Sequence, residues 1–135
     1  MLFSCCTSIE NYNLLVESGY DRIVLPAAEI ASMDEASFDK VKATLFTGPV
    51  ACNSLNMFCT PQLKLCGPGY NLSAVTDYSR ALAKRAADLG IDYIGVGSPG
   101  SRNLPQGFAR DPAIQQLKDS LNAISEECGS YGIGV

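Results

Sequence analysis

The sequence contains no histidine. That absence removes the commonest zinc ligand and the usual general base near neutral pH, and it excludes a complete Ser-His-Asp triad within the chain. No apolar run approaches the roughly 20 residues that a membrane helix needs, and the start, MLFSCCTSIEN, lacks the charged-then-apolar pattern of a leader. The ten Lys and Arg are scattered and the net charge is -4, so no basic patch for nucleic acid or an anionic membrane is read. Phosphate-loop motifs are missing too, because Gly95-Val96-Gly97-Ser98-Pro99-Gly100 offers only a G-x-G with a misplaced proline. These absences lead us to expect a soluble, cytoplasmic protein with neither membrane nor nucleic-acid partners.

The 135 residues, 47% of them apolar, are enough for one domain with a real core. Six cysteines are many, yet Cys5 and Cys6 are adjacent and the set lacks the close pairing of a structural zinc site. Cys52, Cys59 and Cys66 recur every seven residues but straddle a strand end and a loop holding Pro61 and Pro68. Reduced thiols rather than a metal centre are expected.

The chain then reads as an alternation. Leu2 to Cys6 is a short strand, after which Ser8 caps a helix with Ile9, Tyr12, Leu15 and Val16 on one face until Gly19. Arg22 to Leu25 is a second strand closed by Pro26. Ser32-Met33-Asp34-Glu35 has capping-box spacing and opens a helix with Phe38, Val41 and Leu45 inward, ended by Gly48-Pro49. Val50 to Cys52 is a third strand, followed by a loop from Asn53 to Asn71 whose length suggests function. Ser73 caps the next helix, with Val75, Tyr78, Leu82, Ala86 and Leu89 as its apolar stripe and Arg80, Lys84, Arg85 and Asp88 in solvent.

Asp92 to Val96 is the central strand, and Gly97 to Gly107 is turn chemistry throughout. Asp111-Pro112 opens a last helix with Ile114, Leu117, Leu121, Ile124 and Cys128 in register, Gly129 stops it, and Gly132 to Val135 begins a fifth strand. Such β-α alternation means a parallel sheet. Either an open doubly wound sheet or half of a (β/α)8 barrel, which normally takes about 250 residues, fits the pattern. In both, loops at the carboxyl ends of strands carry the site.

Several segments, taken together, resemble a known family: Cys5-Cys6-Thr7, Asn11-Tyr12, Gly19 to Pro26, Gly97 to Asn103 and Tyr131-Gly132-Ile133. They are similar to the sugar phosphate isomerase/epimerase family of xylose isomerase-like TIM barrels, over its amino-terminal half only. The resemblance implies a (βα)4-β half-barrel and, in a complete family member, a divalent metal (Mn2+, Mg2+ or Zn2+) with carboxylates that move a proton beside the sugar carbonyl. The ligands and bases of the family lie on later strands, so no metal ligand or catalytic residue is assigned in this chain, which is expected to be inactive alone.

What the resemblance leaves here is a rim facing a sugar or sugar phosphate. Cys6, Glu29, Asn53, Asn56, Phe58, Arg102 and Asn103 lie on expected strand ends or the loops after them, where they are the candidate substrate-binding residues. Each has a plainer alternative. Cys6 is also a fitting core residue, Phe58 a cover for the barrel end, the three asparagines satisfiers of loop backbone, Glu29 a helix cap and Arg102 a loop anchor. A non-catalytic half-barrel module is the alternative function. An endonuclease IV-like repair enzyme shares the barrel but draws metal-binding histidines from early strands, and this chain has none. An open half-barrel also leaves sheet edges and inward side chains uncovered, so a homo-oligomer is expected.

Overall fold

A computed structural model describes residues 1–135. Four strands, β1 (Ser4–Cys6), β2 (Arg22–Pro26), β3 (Ala51–Asn56) and β4 (Tyr93–Ile94), form one all-parallel sheet in the order β1-β2-β3-β4. Each strand is followed by helix: α1 (Tyr12–Glu17) after a 3-10 turn, α2 (Ala27–Ser32) and α3 (Glu35–Thr47), α4 (Leu72–Asp88), and α5 (Pro99–Arg102) and α6 (Arg110–Gly129). Strand neighbours are thus also chain neighbours, the order of a barrel wall rather than of a doubly wound sheet.

Side chains alternate across this sheet. Ile23, Leu25, Leu55 and Ile94 point to one face and are at most 1% exposed. Phe38 and Val41 of α3 and Val75, Leu82, Ala83 and Ala86 of α4 share their core. On the other face Cys6, Val24, Ser54 and Tyr93 form one cross-strand row. No element covers that row, and Tyr93 is 51% exposed.

The differences from the sequence reading have local causes. Ser32 does not cap α3; it ends the unforeseen helix α2 and donates to the Glu29 carbonyl, while the Asp34 carboxylate accepts from Ser37 N at 2.7 Å. The charged acceptor makes the stronger cap, and that bond holds the Asp34 carboxyl below its usual pKa. Likewise Asn71, not Ser73, caps α4 by accepting from Ala74 N. α6 begins at Arg110, one residue before Asp111, and its buried face is Ala113, Ser120, Ile124 and Cys128, with Ile114 and Leu121 each 40% exposed. The helix runs through Gly129, and it is Gly132, at φ +74°, that turns the chain. The fifth strand is reduced to a single bridge, in which Gly134 N donates to Asp92 O and Ile94 N donates to Gly134 O, both at 2.9 Å.

Arg85, expected in solvent, is instead a clamp. Its guanidinium donates to the carbonyls of Ile30 and Met33, pairs with Glu35 and lies 5.0 Å from the Phe38 ring centre. It thereby closes the C-terminal end of α2 and joins it to α3 and α4.

Candidate functional site

The carboxyl ends of β3 and β4 lie side by side, and two loops grow from them. β3 is longer than its sequence suggests: it extends to Asn56, so Asn53 sits inside the strand rather than in the loop. A register irregularity opposite Arg22–Val24 lets the extra residue in. Asn53 receives Asp92 N on its carbonyl and its amide is 3.5 Å from the Asp92 carboxylate, which ties β3 to the approach of β4.

Beyond the strand the 57–71 segment folds onto the segment after β4. Two non-glycine residues with positive φ mark the turns, Met57 at +49° and Ser98 at +24°; such backbone strain concentrates where loops are held for function. Cys59 N donates to Ser98 Oγ at 3.0 Å, the Ser101 hydroxyl donates to Thr60 O at 2.8 Å, and Leu65 N donates to Ser101 O at 2.8 Å. Gly100 is required by this fit, since a Cβ there would lie 2.8 Å from Pro61 Cγ. Ser120 and Gln116 of α6 reach back to Leu65 O and Gly67 N, fastening the far end of the long loop. The loop is therefore a packed cover, and Phe58 belongs to it: the ring is fully buried, 5.4 Å edge-on from Tyr78, whose hydroxyl donates to Phe58 O. That burial pushes the Tyr78 hydroxyl pKa well up.

The seven candidates therefore separate. Cys6 is exposed at the end of β1 on the open face, and Asn56 stands on the same face at the end of β3. The Asn56 side-chain carbonyl oxygen is buried and has no hydrogen-bond partner. Arg102 ends α5 and Asn103 follows it at the C-cap, with Arg102 Nε donating to Gly97 O at 2.8 Å. Glu29 is exposed on α2 and lines a separate hollow with Ser8, Ile9 and Glu10. Phe58 presents no ring surface, and Asn53 lies three residues before the strand end. Sequence reasoning missed Ser98, a buried polar residue in a stretch that reads as flexible turn, and Lys64 in the long loop; Ser101, which adjoins Arg102 and Asn103 in sequence as a site for substrate contacts, is instead buried and spent on the loop latch. Three cysteines in that loop region, Cys52, Cys59 and Cys66, were the signal available, because such a run suits a packed segment more than a solvated one.

No three His, Cys, Asp or Glu side chains converge in a way that would hold a metal ion. All six cysteines are free thiols, and burial raises the pKa of Cys52 and Cys128.

The arrangement is shared with solved proteins. The D-psicose 3-epimerase of Clostridium cellulolyticum H10, solved with D-tagatose, aligns with 98% of this chain at a TM-score of 0.73 and 11% identity. The 3-keto-D-glucoside 4-epimerase of E. coli, in apo form, aligns with 98% at 0.71 and 12%. The chain has the fold of half a TIM barrel. It spans 50% and 54% of those two chains, so its four-stranded sheet corresponds to half of a barrel wall. No protein-family model matches the sequence, and no curated protein matches it.

Proposed function

We propose that this chain supplies the sugar-facing rim of a sugar or sugar phosphate isomerase/epimerase barrel. The observation that carries the reading is Asn56: a buried, unpartnered carbonyl oxygen at a strand's carboxyl end costs free energy unless a donor arrives. A sugar hydroxyl is such a donor, and the reading is supported by the oxygen's position at the carboxyl end of β3, the end of the strands at which barrel enzymes hold substrate. The chain's own groups bind and orient; no three His, Cys, Asp or Glu side chains among them converge to hold a divalent metal. By the same reading the complete protein is metal-dependent, works in the cytoplasm on a small sugar, and the chain alone turns nothing over.

The test uses D-tagatose. Titration followed by NMR is expected to shift the amides around Asn56, and Asn56→Ala is expected to abolish those shifts while leaving the thermal midpoint unchanged or raised, because the orphan acceptor goes with the side chain. No shift in the wild type sinks the sugar reading. Epimerisation or isomerisation of a ketose by this chain with added Mn2+ overturns the claim that it is inactive alone.

A second reading, a non-catalytic module that assembles with its own kind, is favoured by a different observation. At about 100° per residue, Gln116 and Glu127 fall on one flank of the buried face of α6 and Ile114 and Leu121 on the other. Gln116 reaches Gly67, and Glu127 pairs with Arg80 of α4. The exposed apolar pair therefore faces away from α4, on the side where a further helix of the layer belongs, and homo-oligomerisation would cover it. Sedimentation at micromolar concentration is expected to show a dimer that Ile114→Glu with Leu121→Glu dissociates and that Phe46→Glu, at a still more exposed apolar site on α3, does not.

A further inference from the structure

The loops after β3 and β4 border an open cavity of about 400 Å3, with Lys64, Cys66 and Pro68 from one loop and Gly100, Asn103 and Leu104 from the other. That is within the range of small-ligand sites. Its charge is one-sided. No acidic side chain lines it, although the chain as a whole carries a net charge of -4. The ion pairs of the molecule are Arg80 with Asp77 and Glu127, and Arg85 with Glu35, so neither Lys64 nor Arg102 is neutralised by a carboxylate.

Lys64 is also held in place. Its Nζ donates to Gly100 O at 2.9 Å, which fixes the ammonium across the gap between the two loops and leaves two of its three N–H groups unused. The Arg102 backbone carbonyl lies 3.4 Å from the Cys66 sulfur, and its guanidinium spends only Nε on Gly97 O. Both cations bear on the Cys66 thiol and favour its charged form against the effect of burial, so the two fields overlap inside the cavity wall. Asn103 adds an amide at the mouth, and Pro68, Leu104 and Pro105 give apolar walls suited to the C–H face of a small polyol.

We propose that this cavity binds the anionic group of a sugar phosphate or sugar acid, with Lys64 as its charged partner and Arg102 and Asn103 beside it. The polyol part of that ligand rests on the sugar reading given above; the anion site does not. A fixed ammonium with free donors, a second unpaired guanidinium and no competing carboxylate are what a phosphate or carboxylate needs to exchange its hydration for direct contacts.

Calorimetric titration of the full chain with inorganic phosphate, D-fructose 6-phosphate, D-gluconate and D-fructose tests this. At least one anionic sugar is expected to bind about tenfold or more tightly than D-fructose, a preference that shrinks with added NaCl. Whether the phosphate or the carboxylate compound shows it identifies the anion. Lys64→Gln is expected to erase the preference and Lys64→Arg to keep it; the arginine variant guards against mere loosening of the loops, as does Arg102→Gln, which is expected to weaken the preference without touching the Gly100 contact. Equal affinities for charged and neutral sugars, or a preference unchanged in Lys64→Gln, overturn the proposal. D-fructose binding that depends on Asn56 with no gain from an anion defeats this site and leaves the sugar reading standing. Phosphate bound through Lys64 with no affinity for any sugar does the reverse.

Discussion

The two faces of the sheet are built from alternate residues of the same strands and have opposite fates. Leu55 and Ile94 are sealed under α3 and α4, whereas Ser54 and Tyr93, one residue earlier on each strand, stand on a face that no helix covers. The covered face is aliphatic throughout: Ile23, Leu25, Leu55 and Ile94. The open one mixes Cys6, Arg22, Val24, Ser54, Asn56 and Tyr93. Its single charge, Arg22, sits at the amino ends of the strands, and its carboxyl ends carry Cys6 and Asn56. One face is therefore committed to stability and the other is available for contact. In a barrel the second would line the interior and meet the opposite half of the wall.

Mutations should separate the faces. Ile94→Ala, on the covered side, is expected to cost about 3–4 kcal/mol, since the methyl groups removed leave a cavity that fixed helices cannot fill; urea denaturation reads it. A loss below about 1 kcal/mol would mean that the helix layer is loosely held.

A pH effect of similar size belongs to the same side. Cys128 is fully buried, and burial first, then the charge of Glu127, pushes its thiol up to about 11. A raised folded-state value means that stability is complete below the ordinary thiol pKa of about 8.5 and is lost as pH climbs through the folded value, here about 3 kcal/mol in all. Cys128→Ala is expected to flatten this alkaline fall, leaving the part due to Tyr78, which shifts the same way.

The sequence shows the covered face well and the open face poorly. Period-2 and helical patterns found every strand site and the inward residues Phe38, Val41, Val75, Leu82 and Ala86, because burial on one side leaves a periodic trace. The open face leaves none, since polar residues there serve a surface that only the rest of a barrel would define. The end of β3 was hidden for that reason: Asn53 and Asn56 read as loop chemistry, although hydrogen bonds to neighbouring strands hold them extended. The loop latch was equally silent, as its contacts join Cys59 to Ser101 and Leu65 to Ser120 across 42 and 55 residues. Of the candidate site, Asn56, Arg102 and Asn103 were readable from position after a strand. Lys64 was not, because its place depends on how two loops fold together.

A smaller effect is expected on the open side. Val24→Thr keeps the shape and adds a hydroxyl on a partly exposed surface, so unfolding should change by about 0.5 kcal/mol or less, even though Leu25 beside it in sequence is 1% exposed. A loss comparable with that of Ile94→Ala would show that something covers this face.

The most direct test uses the cysteines already present. Cys6 lies on the open face and is exposed, while Cys52 and Cys128 are buried on the covered side. Thiol labelling of the native chain at nanomolar concentration, with the sites resolved by mass spectrometry, should show Cys6 reacting nearly as fast as a free thiol and Cys52 and Cys128 reacting only as the protein unfolds. Protection of Cys6 to the level of Cys128 at every dilution would contradict the account, because the face at the centre of it would then be closed within a single chain.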